Sequence, residues 1–357
     1  MTLAITATEL PRVMRCIGSR NMPAMLPPDY DHEKRDEGNC ADWLAEQWFN
    51  GLAADVGTKA PNGYVVTSDM VEHVKSYLEA LDCGEMQVET TFSGPGGVWE
   101  IRGRADHIKL AGTTLTIDDL KYGFRIVEPD ANWTLLAHAI GYCIRHQVAP
   151  DRIVLRIHQP RPYHSDGPLR EWSCSYEQLM GYYHQINDRL TNPTDELTTG
   201  LDWCAKCHAL AGCPAARRAS MNAIDASMIA FSEELPNDVL AFELETLEQA
   251  TGMIKARQDA VSELMTHRIK SGQVIDGYAL ETRYGHTKWK TGYTGRMLSA
   301  LTGVDLTADG AVTPAEAKRR GVTPEALTAI TERPMIGSKL KRIDPDRAAR
   351  KMFGDRA

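Results

Sequence analysis

Two carboxylates and a lysine stand close together in Gly103-Arg104-Ala105-Asp106-His107-Ile108 and, a short way on, in Ile117-Asp118-Asp119-Leu120-Lys121-Tyr122-Gly123. In an extended strand Asp119 and Lys121 leave the same face as Leu115 and Ile117, and Asp118 leaves the opposite face. Ala111-Gly112 reads as a turn, which folds Asp106 back toward Asp119. Two carboxylates so placed can hold a divalent cation, which polarises a phosphoryl oxygen and lowers the pKa of a bound water. Lys121 can then position that water and offset the developing negative charge. The chemistry these residues suit is metal-dependent phosphodiester cleavage; the same residues also suit an exposed hairpin whose charges face solvent.

A second group is built of sulfur. Of eight cysteines, three crowd into Trp203-Cys204-Ala205-Lys206-Cys207-His208-Ala209-Leu210-Ala211-Gly212-Cys213-Pro214. A C-x2-C-x5-C run lets three soft ligands converge on zinc or on an iron–sulfur cluster. The fourth ligand is open on spacing alone: Cys16 and Cys40 are upstream candidates, and His208 can complete a zinc site. Cys83, Cys143 and Cys174 lie in apolar or strand-like surroundings and read as buried structural thiols. Disulfides are not expected in a chain without a secretory signature.

These groups need a scaffold, and the 357 residues with 43% hydrophobic content are enough for one large domain or two moderate ones. The first residues lack the basic and apolar regions of a signal peptide, and no apolar run reaches membrane-spanning length, so a cytoplasmic protein without a membrane partner is expected. A net charge of −8 argues against wholesale nonspecific nucleic-acid binding and confines any positive potential to a local groove. Helices are expected over residues 6–19, 37–52, 68–84, 132–146 and 176–190, and strands over 87–92, 98–110, 113–121 and 152–159. The order α-α-β-β-β-α-β-α predicts an α/β core with a mixed sheet flanked by helices.

Composition shifts after the cysteine loop. Residues 237–272 read as one long helix, with Leu240, Leu247, Ile254 and Val261 at seven-residue spacing, and residues 278–284 read as a strand. Packing of this helix on its own domain is preferred to a coiled coil, because the companion positions include Thr251 and Gln258. The pattern sets a mainly helical, basic C-terminal region over 221–357 apart from a first domain over 1–220. Lys288-Trp289-Lys290 puts an aromatic between two cations, and Lys339, Lys341, Arg342, Arg347, Arg350 and Lys351 concentrate charge near the end; both suit DNA contacts as well as an ordinary solvated surface.

With these motifs in view the chain resembles the PD-(D/E)XK nucleases of the RecB-like exonuclease group. It is most similar in look to a phage-borne branch whose cysteine arrangement is shared by the CRISPR-associated adaptation exonucleases and the AddB nuclease domain. The pieces agree in order over the first three-fifths of the chain: Cys16-Ile17-Gly18-Ser19, Glu37-Gly38, Asp119-Leu120-Lys121-Tyr122-Gly123, Gln159-Pro160-Arg161, and Trp203-Cys204 through Cys213-Pro214. The resemblance implies a restriction-endonuclease-like core and a 4Fe-4S cluster on Cys16, Cys204, Cys207 and Cys213. It also implies Mg or Mn held by Asp106, Asp119 and the Leu120 carbonyl, with Lys121 serving the attacking water.

Departures fall at three places. The histidine ligand usual after Glu-Gly is replaced by Asp42, a harder ligand that favours Mg. The Gln and Tyr that usually face DNA are replaced by Thr134 and His138, with Asn132 retained before them. Asn132, Thr134, His138, Arg161, Lys288 and Trp289 are therefore the expected DNA contacts. The function implied is a metal-dependent DNA exonuclease acting on single-stranded or duplex ends in recombination or replication, alongside a recombination partner protein. The alternatives are a catalytically degenerate DNA-binding or scaffolding protein with the same fold, and a zinc-binding regulator that uses the cysteine loop alone.

Overall fold

In the computed structural model, which describes residues 3–27, 33–226, 236–290, 292–308 and 310–343, the chain divides into two compact units, Met1–Gln258 and Asp259–Ala357. The first contains β1 (Leu3–Thr6), α1 (Leu10–Arg15), α2 (Glu33–Phe49), α3 (Ser68–Ala80), β2 (Glu85–Glu89), β3 (Phe92–Ser93), β4 (Trp99–Arg102), β5 (Arg104–Ala111) and β6 (Thr114–Leu120). It continues through α4 (Trp133–His146), β7 (Arg152–His158), β8 (Leu169–Ser175), α5 (Tyr176–Thr191), α6 (Leu201–Cys204) and α7 (Pro214–Ala226) into α8 (Asn237–Lys270).

A five-stranded sheet in the order β2-β5-β6-β7-β8 forms the centre, with β6 parallel to β7 and its other pairs antiparallel. The class is mixed α/β, with helices on the sheet. Gly112, at φ +58, makes the turn between β5 and β6 in a region that favours glycine. The register pairs His107 with Asp118, so Asp106 and Asp119 follow one step on. On one face Leu115, Ile117, Ile153, Leu155 and Ile157 pack with Leu135, Leu136, Ala139 and Ile140 of α4. A second core joins Cys40, Ala41 and Leu44 of α2 to Met70, Val74 and Tyr77 of α3, with Leu120 and Tyr122.

Three sequence expectations change here. The helix over 6–19 is divided: α1 covers Leu10–Arg15, the non-helical Cys16 ends it, a 3-10 turn follows over Ile17–Asn21, and Thr6 belongs to β1, which pairs in parallel with Trp99–Arg102 in a separate three-stranded sheet. The strand over 98–110 breaks at Gly103 into β4 and β5. A Cβ there would meet Thr90 Oγ1 at 2.7 Å and the His138 ring at 3.0 Å, so the chain passes too close for any larger residue. The unit boundary falls at 258, where 220 was expected, because the first part of α8 packs on the cysteine-loop region: Gly252 lies against Leu201, and Arg257 donates to the Cys213 carbonyl at 3.3 Å.

The second unit adds to its helices several strands. β9 (Tyr278–Tyr284) pairs with β14 (Met335–Arg342), and β10 (Lys288–Trp289) pairs with β13 (Thr331–Glu332). Between them lie α9 (Gly295–Thr302), the short pair β11 (Thr307–Ala308) and β12 (Gly310–Ala311), α10 (Pro314–Arg319) and α11 (Pro324–Ile330). Its small core gathers Leu298, Leu306, Val312, Ala317, Val322 and Ile330. No described helix is long and apolar enough to cross a membrane.

Candidate active site

The hairpin delivers the acidic residues to one end of β6. Asp106 Oδ2 accepts from the Leu120 N–H at 2.9 Å, which ties the two strands where the carboxylates meet. Lys121 forms an ion pair with Asp119. Asp42 comes from α2 and shares a small cavity with Asp106, Leu120, Gln87 and Tyr77. Three elements thus bring Asp42, Asp106, Asp119 and Lys121 together.

Their electrostatics follow from crowding. Burial, then the charge of Asp119, push the Asp106 carboxyl up to about 6, against the opposing pull of Lys121 and the Leu120 N–H. Burial and the charge of Asp106 hold Asp42 well above the carboxylate range. For Lys121 burial alone would lower the pKa, but the charges of Asp119 and Asp106 outweigh it and keep the ammonium protonated. An excess of carboxylate over ammonium in a desolvated site is relieved by a divalent cation.

Asp119 and Lys121 open onto a cleft of about 510 Å³. One wall carries Asn132, Trp133 and Thr134 from the start of α4; the other combines Arg12 and Arg15 of α1 with Trp203, Lys206 and His208 of the cysteine loop. Arg12 is buried and tied to Glu9 at 3.1 Å and Ser19 at 2.8 Å, whereas Arg15 and Lys206 are exposed. These cleft cations were not singled out in the sequence. Nothing in their spacing marks them, because α1 and the cysteine loop meet only in three dimensions.

Cys16, Cys204, Cys207 and Cys213 line one cavity below that loop. The Thr198 N–H donates to Cys16 Sγ at 3.4 Å. Cys40 sits instead in the α2–α3 core, and His208 bonds to the Met22 carbonyl at 3.0 Å, outside the cysteine cavity. Among the described residues no group of three or more His, Cys, Asp or Glu side chains is arranged as a ready-made ion site. The donor sets nevertheless fit the groups implied. Four thiols around one cavity, one already taking an amide N–H, suit a cluster. Hard carboxylate oxygens suit Mg or Mn, and the buried Asp119 Oδ2, set against Lys121, accepts no hydrogen bond of ordinary geometry.

Most of the expected DNA contacts are engaged within the protein, and His138 lies in its interior. His138 is buried and bonds Thr90 Oγ1 at 2.8 Å, and burial pulls its pKa down to about 4; a side chain so enclosed does not line the cleft. Asn132 caps α4, accepting from the Thr134 and Leu135 N–H groups at 3.1 and 3.4 Å, and also lines the cleft. Arg161 is committed to Glu37 at 2.8 Å and the Tyr122 carbonyl, and lies over the Tyr122 and Phe124 rings. In the second unit Trp289 packs on the small core and donates Nε1–H to the Val312 carbonyl at 2.6 Å, while Lys288 pairs with Glu332 at 3.2 Å. Lys339 and Lys341 both pair with Glu281; Arg342 is exposed; Arg347, Arg350 and Lys351 lie outside the described residues.

Asp118 points away from Asp119 as expected, yet it is not a surface residue. It is 2% exposed and bridges two buried imidazoles, His107 Nδ1 at 3.0 Å and His158 Nε2 at 2.9 Å. Burial pushes its pKa up, but the two imidazole hydrogen bonds outweigh that and hold it below the ordinary range.

The geometry defines an α/β protein with a carboxylate–lysine cleft at one end of a mixed sheet. The chain belongs to the DUF2800 family, described as a protein of unknown function, whose model matches residues 10–293. A solved structure titled "Crystal structure of SSO0001" is similar at 17% identity, with a TM-score of 0.29, over 60% of this chain and 88% of that chain. No curated protein matches the chain.

Proposed function

We propose that the protein is a metal-dependent deoxyribonuclease of the PD-(D/E)XK type, acting as an exonuclease on DNA ends in phage-type recombination or replication in the cytoplasm. The observation that carries the reading is the convergence of Asp42, Asp106 and Asp119 from three elements, with Lys121 paired to Asp119 at the mouth of a basic-walled cleft. Asp42, Asp106, Asp119 and the Leu120 carbonyl would hold Mg or Mn. When bound, the cation supplies a Lewis acid and a water of lowered pKa.

The rest of the chemistry falls to this chain. Lys121, kept protonated by its carboxylate neighbours, holds the attacking water and offsets charge on the phosphoryl oxygens. Arg15 and Lys206 grip flanking phosphates from the far wall, and Trp203 offers a face for a base. The four thiols would hold a 4Fe-4S cluster that fastens the loop carrying Trp203 and Lys206 to the N-terminal segment. A recombination protein is the expected partner.

End-labelled single- and double-stranded DNA incubated with the purified protein, with and without Mg or Mn, tests the reading. Metal-dependent shortening is expected, and Lys121→Ala should cut it about a hundredfold or more while metal binding persists. DNA binding without shortening of any substrate would refute the enzyme and leave a scaffold.

A further inference from the structure

Among the described residues the Tyr77 hydroxyl is one of a few buried side-chain polar atoms without a hydrogen-bond partner, and Asp119 Oδ2 of the same site is another. The side chain is 3% exposed, and its oxygen is buried with no hydrogen-bond partner, although such groups are costly to leave unpaired. Its ring is held firmly. It stands edge-on to His158 at 4.8 Å and 74°, and His158 is in turn fixed by Asp118. The ring is thus braced against the sheet by His158, while the residue lines the small cavity that Asp42 and Asp106 share.

Other features of that cavity agree. Gln87, which also lines it, has φ +54, and the β2–β5 pairing passes from Met86–His107 to Val88–Ala105, leaving Gln87 and Asp106 out of the ladder beside the hollow. The side chain is a phenol, which serves as a donor over the working pH range. A buried donor facing two carboxylates, bonded to neither, is suited to an acceptor that arrives with a ligand. Mg and Mn characteristically retain waters when protein carboxylates bind them, and such waters are acceptors for a neutral hydroxyl.

We propose that Tyr77 is a positioning residue of the cation site, its hydroxyl donating to a water ligand of the divalent cation held by Asp42 and Asp106. This rests on the metal-dependent reading above and adds to it a residue from α3, a helix that carries none of the motifs. Partners of this kind set ligand geometry and affinity without touching the ion.

The test is Mn binding by calorimetry, with the Mn EPR spectrum as a second readout, on wild type, Tyr77→Phe and Asp106→Asn. Tyr77→Phe keeps the ring against His158 and removes only the oxygen. It should weaken Mn binding about tenfold to a hundredfold and change the EPR line shape. The melting temperature of its metal-free form should stay level or rise, because an unpaired buried hydroxyl has gone. Wild-type affinity in Tyr77→Phe, alongside lost binding in Asp106→Asn, would overturn the role of Tyr77 alone. A lowered metal-free melting temperature would also overturn it, by revealing a structural partner. Wild-type protein that binds no Mn would overturn the metal-dependent reading and this inference with it.

Discussion

Replacing Asp106 with asparagine should make the metal-free protein more stable. Burial and the charge of Asp119 lift this carboxyl from the ordinary 3.8 to about 6. That is roughly two units, and at about 1.4 kcal/mol per unit the ionised group costs the fold up to about 3 kcal/mol at pH 7.5. Since the side chain is only partly buried, a realistic share is about 1–2 kcal/mol, or about 2–6 °C in melting temperature for a unit of this size. Asparagine keeps a carbonyl for the Leu120 N–H, so the tie between strands survives.

The pH dependence is specific. Because the folded pKa lies above the unfolded one, the cost is fully present above about 6 and relieved as protons bind on going down. The advantage of Asp106→Asn should therefore fall by about half by pH 5 and nearly vanish by pH 4. Thermal unfolding by circular dichroism in a chelator, at pH 7.5 and 5, measures it. Adding Mn should reverse the order at pH 7.5, since only wild type gains from the ion. A variant less stable than wild type without metal at pH 7.5, or a gain that ignores pH, would refute the electrostatic account of this site.

Asp118→Ala should be strongly destabilising, by about 3 kcal/mol or more in urea unfolding, because it strands His107 Nδ1 and His158 Nε2 in the interior; a mild effect would mean water replaces the carboxylate. Anaerobically purified wild type should be brown, and Cys207→Ala should bleach it and lower its melting temperature; zinc without iron in wild type would contradict the cluster. Lys206→Ala should weaken DNA binding and reduce its salt slope by about one while leaving the melting temperature alone; an unchanged slope would remove the loop from the DNA path.

What could be read in the sequence was local or periodic. The turn at Ala111-Gly112, the shared face of Asp119 and Lys121, and the crowding of three cysteines follow from spacing, and the β5–β6 hairpin and the cysteine cavity appear where that spacing put them. The convergence of Cys16 on the distant cysteine loop came from the resemblance, since spacing alone left Cys40 open. What could not be read arises between distant elements. Tyr77 reaches the carboxylates because α3 packs under β6, Arg15 reaches the cleft because α1 meets the cysteine loop, and His138 is lost to the core because Thr90 and Gly103 close over it. The setting of Asp118 was hidden for a related reason. Alternation gives the face of a strand but not whether that face is covered, and here two histidines from neighbouring strands meet it.

The cleft is assembled from stretches far apart in the first unit, and that has a bearing on how the protein is made. Residues from Glu9 to Arg15 form one part of its wall, and residues from Asp202 to His208 another. A ribosome releases Asp119 and Lys121 well before the second part exists. At ordinary elongation speed the interval between Lys121 and Lys206 is roughly 4–17 s. Throughout that time the nascent chain carries its carboxylates and lysine beside an open side, and the Cys16 thiol waits for the three that will join it. The wall closes only once the cysteine loop has been made. A product truncated or stalled before the cysteine loop therefore lacks one wall of the cleft, so competence at this site waits for that loop during synthesis.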